Sequence, residues 1–279
     1  MAVGRKVTVV TENDSLFDNW ALILGASSGF GAATAMVLAR KGLNIFGVHL
    51  DRSSTLHNAE RLMAEIRETG RQTVFFNTNA ANPTKRAEVV DAIAAKLVER
   101  GGQKKVRVLF HSLAFGSLGE FISDDPKRTL SQSQMEMTLD VMANSLVYWT
   151  QDLVSRDLMG EDGRIYAMTS SGSHRVWPSY GAVSAAKAAL EANVRQLAVE
   201  LTKKKITVNS IRGGVTVTPA LKAIPGSEKL IEEATAKNPM GRMTRPEDIA
   251  AAVGALCVPE TYWLTGNVLG VDGGEDNIG

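Results

Sequence analysis

The stretch Gly25-Ala26-Ser27-Ser28-Gly29-Phe30-Gly31 decides the fold, because of the segments on either side of it. The apolar run Trp20 to Leu24 before it is typical of a buried strand, and residues 31–41 after it have helical period. Glycines spaced G-x3-G-x-G allow a tight turn and a close approach of backbone to phosphate. The N–H groups at the start of the helix would favour that anion. We therefore predict a dinucleotide-binding loop.

Apolar runs and helical segments alternate along the whole chain, which is typical of βαβ units with a parallel sheet covered by helices on both faces. Strands are predicted at residues 20–24, 44–48, 73–76, 106–110, 164–169, 206–211 and 267–271. Helices are predicted at residues 31–41, 55–68, 85–100, 133–157, 179–203, 227–236 and 246–255. The predicted fold class is α/β, a single doubly wound Rossmann domain over residues 1–279 with a seven-stranded parallel sheet and an N-terminal extension at 1–18.

Composition argues against several classes of function. The chain has 31 basic and 30 acidic residues without a polybasic block, which disfavours nucleic acid and anionic membranes as partners. The only early apolar run, Val7 to Val10, is too short for a signal peptide, and nothing reaches the roughly 18 residues of a membrane span. Cys257 is the single cysteine, so we predict a buried thiol, no disulfide and no metal site. A soluble cytoplasmic protein is expected.

The second predicted strand ends at His49-Leu50-Asp51-Arg52-Ser53, where the adenosine ribose of a dinucleotide would lie. An acidic residue here binds the 2′-hydroxyl of NAD, and a basic residue accepts the 2′-phosphate of NADP. His49 occupies the first position expected for the acid, and Arg52 and Ser53 follow, so we favour NADP over NAD. Asp51 is the argument for NAD, unless it only pairs with Arg52 at the surface.

Tyr180 and Lys187 are seven residues apart in the predicted helix 179–203, which places them on one face about 10 Å apart along the axis. A lysine side chain spans much of that gap, and a cofactor ribose can bridge the rest. A nearby ammonium lowers the pKa of a phenol and makes it a better proton donor or oxyanion partner. The spacing also arises by chance on amphipathic helices, so the pair alone leaves a structural role open.

Together with the glycine loop, this pair makes the chain resemble the short-chain dehydrogenase/reductase superfamily from about Trp20 to Gly274. Val208-Asn209 before Gly213-Gly214 and the tail motif Val271-Asp272-Gly273-Gly274 match the same superfamily. The resemblance implies a nicotinamide-dependent oxidoreductase.

Four features are similar to the enoyl-acyl-carrier-protein reductase branch of that superfamily. The pair is Y-x6-K, and Val183, four residues before Lys187, cannot donate a proton as the tyrosine of ordinary Y-x3-K members does. His111-Ser112-Leu113-Ala114-Phe115 resembles that branch's His-Ser-x-x-Phe, and residues 188–195 are nearly the same as theirs. Asp140 occupies the position that looks like the catalytic asparagine of ordinary members.

Two features depart from the common enoyl reductases. The glycine loop has the ordinary spacing, and Ser170 replaces the second tyrosine expected ten residues before Tyr180. This combination resembles a minority, NADPH-dependent type of enoyl reductase, whose Gly-Gly-x-x-x-Thr-x-Ala-Leu segment is similar to residues 213–221.

The resemblance implies reduction of the 2,3 double bond of an enoyl thioester on acyl carrier protein or coenzyme A, in fatty acid synthesis. The alternative is a ketoreductase acting on 3-oxoacyl thioesters or other carbonyl substrates, and a non-catalytic nucleotide sensor is a third possibility. The superfamily also implies a homotetramer built through residues 133–157 and 179–203, with Tyr148 and Trp149 as candidate contacts that core packing would explain equally well.

The resemblance assigns catalytic roles to Tyr180 as oxyanion donor, Lys187 as ribose ligand and Ser170 as a second donor. Thr216 and Thr218 would contact the nicotinamide carboxamide and the pyrophosphate, and Asn79 would contact adenine or else serve a turn. The predicted cofactor-binding residues are Gly25, Ser27, Ser28, Gly29, Phe30, Gly31, His49, Arg52, Ser53, Asn79, Ala80, Ser112, Leu113, Ala114, Lys187, Gly214, Val215, Thr216 and Thr218.

Three further predictions concern the surroundings of the site. Residues 219–236 form a candidate substrate lid or a pair of surface helices, and the polar stretch 116–133 borders the site or is a solvated connection. His111 ends an apolar strand, so we expect it to be structural rather than an acid or base.

Overall fold

The computed structural model describes Leu16 and residues 18–99, 104–218, 221 and 226–278. The predicted N-terminal extension lies outside the described residues except for Leu16 and Asp18. Residues 219, 220 and 222–225 of the predicted lid also lie outside them.

Seven strands form one parallel sheet with the order β3-β2-β1-β4-β5-β6-β7. The predicted α/β fold class and seven-stranded parallel sheet are confirmed. The strand order reverses between β1 and β4, which is the position where sheets of this kind bind ligands. The strands are β1 Trp20–Leu24, β2 Asn44–His49, β3 Thr73–Asn77, β4 Val106–His111, β5 Met159–Ser170, β6 Thr207–Gly213 and β7 Val268–Val271.

Eight α-helices connect and cover the strands in the described part of the chain. They are α1 Gly29–Arg40, α2 Leu56–Glu68, α3 Pro83–Val98, α4 Gln132–Leu139, α5 Ser145–Ser155, α6 Gly181–Glu200, α7 Ser227–Lys237 and α8 Pro246–Leu256. No helix among the described residues combines the length and the apolar character needed to cross a membrane.

The helix predicted over residues 133–157 is present from Gln132 to Ser155, but it is not a regular α-helix throughout. A π-helical turn, Asp140–Asn144, separates α4 from α5. Ser145 directly after it donates its hydroxyl to the carbonyl of Val141 at 2.7 Å, so the side chain competes with the regular backbone pattern. Met142 in this turn is buried and packs with Val183 and Ala186 of α6.

Apolar side chains pack on both faces of the sheet, as the nearly all-apolar strands predict. One cluster joins β1 and β4 to α3, α5 and α6, and the other joins the sheet to α1, α2 and α8. Cys257 is buried in the second cluster, as predicted, and burial raises the pKa of its thiol to about 12.

Trp149 belongs to the first cluster and has no exposed surface in the chain. Its indole N–H donates to the carbonyl of Ala80 at 2.9 Å, just beyond the end of β3. Trp149 is therefore a core residue, and its candidacy as a subunit contact is wrong. Tyr148 is partly buried beneath the guanidinium of Arg86, 5.2 Å from its ring centre.

We predict that Trp149→Phe lowers the free energy of unfolding by about 2–4 kcal/mol, because it leaves a cavity and an unpaired Ala80 carbonyl. Trp263, which is 84% exposed, provides the matched control, and Trp263→Phe should change stability by less than about 0.5 kcal/mol. Urea unfolding measures both. Equal effects of the two substitutions would contradict this account of the core.

Candidate active site

The carboxyl ends of β1 and β4 meet at the glycine loop. Gly25 has a φ of +88°, and a Cβ on it would lie 2.5 Å from the carbonyl oxygen of Ser112. A Cβ on Gly31 would lie 1.9 Å from the carbonyl oxygen of Gly25. Both positions therefore require glycine, and the loop folds back closely on itself and on the end of β4.

The N-terminus of α1 is open to an anion. Ser28 occupies the N-cap position, but its side chain makes no capping hydrogen bond, and the first turn contains no acidic residue. Thr218, beyond β6, lies across the loop with its Cγ2 3.5 Å from the position of a Cβ on Gly29. The N–H groups and dipole of this helix fit a pyrophosphate, as the sequence predicts.

Tyr180 lies at the N-cap of α6, directly after Ser179, whose φ is +60°. Its ring packs beside Gly172, where a Cβ would lie 2.6 Å from Cε1 of Tyr180 and 3.2 Å from Oγ of Ser170. The structure therefore brings Tyr180 and Ser170 together, with Gly172 providing the space. Sequence analysis did not identify Gly172, because its requirement depends on a tertiary contact.

Tyr180 is partly buried, and the Oγ of Ser170 beside it is buried. Burial raises the pKa of Tyr180, and the Ser170 hydroxyl opposes that change. Ser170 Oγ itself is buried without a hydrogen bond of normal geometry, so it can still bind a substrate oxygen. The expectation that the Lys187 ammonium lowers the pKa of Tyr180 is wrong for this structure, since the pKa is raised overall.

Lys187 is buried, and its Nζ donates to the carbonyl of Met168 at 2.6 Å. Burial lowers the pKa of Lys187 to about 8, while the charge of Glu191 acts in the opposite direction. Glu191 is held in turn by Thr169, whose hydroxyl donates to it at 2.6 Å. An ammonium has three donors, so Lys187 can hold the backbone of β5 and also bind ribose hydroxyls.

His111, at the end of β4, is fully buried, and its Nε2 lies 2.8 Å from the hydroxyl of Ser145. Burial, followed by the nearby charge of Lys187, lowers the pKa of His111 to about 3. The imidazole is therefore neutral and hydrogen-bonded to the first residue of α5. Its burial and this bond fit the structural role predicted for His111.

The adenosine end of the site is organised around Asp51. The imidazole Nδ1 of the buried His49 lies 2.8 Å from Asp51 Oδ2, so Asp51 pairs with His49 and not with Arg52. Partial burial raises the pKa of Asp51, but hydrogen bonds from Ser27, Thr55 and His49 outweigh it and lower the pKa overall. The carboxylate is therefore held by His49 of β2, whereas the Arg52 side chain is exposed.

The other predicted cofactor residues lie along the same edge of the sheet. Asn79 is exposed and accepts a hydrogen bond from the N–H of Ala81 at 3.0 Å, so it stabilises a turn. Thr216 is buried and donates to the carbonyl of Gly214 at 3.0 Å. Ser112 N–H donates to the carbonyl of Leu24 at 2.9 Å, which joins the end of β4 to the end of β1.

An apolar wall lies beside Tyr180. It consists of the buried side chains Val141, Met142, Val183 and Ala186, against which Leu113, Leu118, Met137 and Tyr180 pack. The polar stretch 116–133 borders this wall, since Phe121 covers the start of α6 at Gly181 and the N–H of Gly119 donates to the carbonyl of Ser179 at 2.9 Å. The stretch is therefore part of the surroundings of Tyr180.

Sequence analysis placed Asp140 at the catalytic asparagine position. Asp140 is partly buried at the start of the π-helical turn, whereas Val141 and Met142, the next two residues, join the wall around Tyr180. The contribution of Met142 was missed, because no sequence pattern signals a π-helical turn.

Residues 25–275 match a family described as "Enoyl-(Acyl carrier protein) reductase". The chain is 31% identical over 268 residues to the short chain dehydrogenase mdpC of Emericella nidulans, with 91% of this chain and 94% of the relative covered. It is 28% identical to an NADPH-dependent aldehyde reductase-like chloroplastic protein of Arabidopsis thaliana, with 91% and 93% covered. The angucycline C-6 ketoreductase LanV with bound NADP has the same fold, at a TM-score of 0.81 and 23% identity over 95% of this chain and 98% of LanV.

The fold, the glycine loop and the sequence pattern Tyr180-x6-Lys187 are together typical of nucleotide-dependent oxidoreductases. The chain belongs to the short-chain dehydrogenase/reductase superfamily, within the family that residues 25–275 match. Its cofactor is a nicotinamide dinucleotide. The glycines at positions 25 and 31 and the uncapped N-terminus of α1 leave room and hydrogen-bond donors for such a molecule.

The buried lysine makes stability depend on pH. The pKa of Lys187 is about 8 in the folded chain against 10.5 for an ordinary lysine, so the unfolded chain binds more protons between these values. Stability therefore rises with pH across this window, by up to about 3 kcal/mol relative to Lys187→Met. Urea unfolding without dinucleotide, from pH 7 to about 10.5, measures the difference.

Lys229, which is exposed on α7, is the control for this measurement. Lys229→Met should leave the pH dependence of stability as in the unchanged chain. A difference between the unchanged chain and Lys187→Met that stays constant or falls with pH would contradict the buried-cation account.

Proposed function

We propose that this reductase reduces the 2,3 double bond of an enoyl thioester carried on acyl carrier protein or coenzyme A, in fatty acid synthesis. The observation that carries the proposal is the position of the active-site phenol, which is separated from Lys187 by six residues in the Y-x6-K pattern. Tyr180 faces Ser170, and the position that holds a proton-donating tyrosine in Y-x3-K reductases is occupied by Val183 in the apolar wall. The family that the chain matches supports the same assignment.

The side chains have distinct roles in this reaction. A reduced nicotinamide dinucleotide supplies the hydride when bound. Hydride addition at C3 would leave negative charge on the thioester oxygen as an enolate, and the hydroxyl of Tyr180 donates a hydrogen bond and then a proton to that oxygen. The enol would then tautomerise, moving the proton from the oxygen to C2 and giving the saturated thioester. A donor placed in advance for an oxyanion stabilises the transition state by about 3 kcal/mol in typical enzymes. Ser170 orients the same oxygen, and Lys187 holds the ribose of the dinucleotide.

The apolar wall beside Tyr180 suits an acyl chain. Val141, Met142, Val183 and Ala186 offer no hydrogen-bond partner through their side chains, so they exclude water from the developing charge. The lid proposed at residues 219–236 includes α7, which lies after the cofactor-binding segment 214–218. Closure of such a segment over the substrate would complete the exclusion of water.

A ketoreductase acting on 3-oxoacyl thioesters or other carbonyl substrates is the second candidate. The buried, unpartnered Oγ of Ser170 beside Tyr180 favours it, because two hydroxyls can polarise one carbonyl oxygen. The aldehyde reductase-like relative and the fold shared with a ketoreductase point in the same direction.

For the cofactor we propose NADP in preference to NAD. The position of the NAD-binding acid holds His49, and Arg52 and Ser53 are exposed next to it, where they can reach a 2′-phosphate. Asp51 opposes this choice, because its carboxylate carries a negative charge at the same end of the glycine loop.

The assembly and location of the protein are also proposals. We propose a homotetramer built through the faces of α4, α5 and α6, as the superfamily suggests, with no nucleic acid or membrane partner. A cytoplasmic location is proposed from the single cysteine, which is free and buried.

The substrate prediction is tested by steady-state assays with NADPH and either crotonyl-coenzyme A or acetoacetyl-coenzyme A. We expect turnover of the crotonyl thioester, and turnover of the ketone alone would show that the enzyme is a ketoreductase.

Tyr180→Phe should lower kcat by about 100- to 1000-fold and leave the Kd of NADPH within about threefold, since the phenol acts on the substrate. Tyr262→Phe, at an exposed tyrosine, is the control with normal turnover. A Tyr180→Phe enzyme with normal turnover would overturn the mechanism.

The cofactor prediction concerns Asp51. Removing its charge with Asp51→Asn should tighten NADPH binding about tenfold, because the carboxylate and the 2′-phosphate repel each other, and should leave NADH binding unchanged or weaker. Fluorescence titration with both dinucleotides measures this. Glu60→Gln, which removes an exposed charge from α2, is the control. Wild-type binding of NADH alone, with NADPH excluded even in Asp51→Asn, would be incompatible with the preference for NADP.

A further inference from the structure

The last described turn of the chain, Glu275–Asn277, follows β7 and carries two carboxylates that point in different directions. We call the side chains of Glu275 and Asp276 the C-terminal clasp. Asp272 fixes this turn, because its Oδ1 accepts the N–H of Gly274 at 2.9 Å and its Oδ2 accepts the N–H of Asp276 at 3.4 Å. The two carboxylates therefore have defined positions relative to the end of the sheet.

Glu275 holds the segment after β6. Its two carboxylate oxygens accept the N–H of Val215 at 3.0 and 3.2 Å. A Cβ on Gly214 would lie 2.8 Å from Glu275 Oε2, so the carboxylate packs directly against the backbone. This segment continues to Thr216 and Thr218, which we assign to the nicotinamide and pyrophosphate parts of the dinucleotide.

Asp276 holds the segment that leads to Tyr180. Its carboxylate lies 2.9 Å from Nε of Arg175 and 3.0 Å from Nε2 of His174, two neighbours in the segment 171–179. The same carboxylate lies 3.0 Å from a guanidinium nitrogen of Arg212 on β6. Its side chain is only 9% exposed, so these contacts replace water around a buried charge.

Opposite charges and hydrogen-bond donors hold both carboxylates of the C-terminal clasp in place. Asp276 is matched by two guanidinium groups, and breaking such a buried pair leaves an uncompensated charge. Burial raises the pKa of Glu275, and the Val215 N–H and the Asn238 amide act in the opposite direction. Asn238, after α7, also donates to the carbonyl of Asp272 at 2.9 Å, which joins the region of the proposed lid to the same turn.

We propose that the C-terminal clasp is a positioning element, which sets the nicotinamide-binding segment 214–218 and the segment 171–180 that ends in Tyr180 relative to each other. It rests on the proposed roles of those two segments. Neither Glu275 nor Asp276 is assigned a contact with substrate or cofactor. Loss of either arm should therefore disturb the nicotinamide half of the site and leave the adenosine half, at the glycine loop and Asp51, intact.

The Glu275 arm is tested by binding alone. Titrations use NADPH and 2′-phospho-ADP-ribose, and in parallel NADH and ADP-ribose, so that each dinucleotide is compared with the same molecule lacking nicotinamide. Glu275→Ala should raise the Kd of the dinucleotides about tenfold, the value of one charge-assisted hydrogen bond, with the fragments within about twofold. Glu275→Gln, which keeps an acceptor, should recover part of the loss.

The Asp276 arm is tested by amide hydrogen exchange. Asp276→Asn should speed exchange in residues 171–180 about tenfold and leave the glycine loop unchanged, since only the anchoring of that segment is weakened. Asp91→Asn, which removes the exposed pair with Arg156, is the control with no change in residues 171–180. If Asp276→Asn does not fold, Arg175→Gln removes the same contact and keeps the Arg212 pair.

The inference would be overturned if Glu275→Ala weakened the binding of dinucleotide and fragment equally, or changed neither. It would also be overturned if Asp276→Asn left amide exchange in residues 171–180 unchanged. Neither measurement involves turnover, so both test the clasp independently of whether the substrate is an enoyl or a keto thioester. A chain that binds neither dinucleotide nor fragment would instead refute the proposed function.

Discussion

The site depends on a contact that leaves no room for a side chain, where the glycine loop meets the end of β4. Gly25 lies against the carbonyl of Ser112, and Gly31 lies against the carbonyl of Gly25. This contact fixes the start of α1 at the point where the strand order reverses. Because the helix start is uncapped, its N–H groups remain available at that point, and the other cofactor residues extend from it along the strand ends.

Burial determines the ionisation of the titratable groups at the candidate site. Tyr180 is partly buried, Lys187 and His111 are buried, and burial is the largest cause of the change in pKa of each of them. Burial raises the pKa of the phenol and lowers that of the ammonium, so both groups favour their neutral forms more than they do in water. A substrate oxygen that becomes negative would favour the ammonium form of Lys187 and would keep the Tyr180 phenol protonated, ready to donate its hydrogen.

Much of the architecture could be predicted, because the parallel strands are short apolar runs that need both faces covered. The seven strands, the glycine loop, the buried Cys257 and the structural His111 follow from local pattern and residue chemistry. The π-helical turn between α4 and α5 could not be predicted from local pattern, and Ser145 directly after it bonds both to Val141 and to His111 of a distant strand. For Trp149 the sequence left subunit contact and core packing open, and only its bond to Ala80, far away in the chain, decides for the core.

The sequence alone determined the class of fold, the position of the dinucleotide loop, and the two residues, Tyr180 and Lys187, on which the proposed chemistry depends. These follow from periodicity and from spacing within one segment, and such local patterns can be read without any tertiary contact. Only the tertiary structure decided that Asp51 pairs with His49, that Gly172 makes room for Tyr180, and that Glu275 holds Val215. Each of these needs a side chain or loop from another element within hydrogen-bonding or packing distance, and such distances exist only once the sheet has formed.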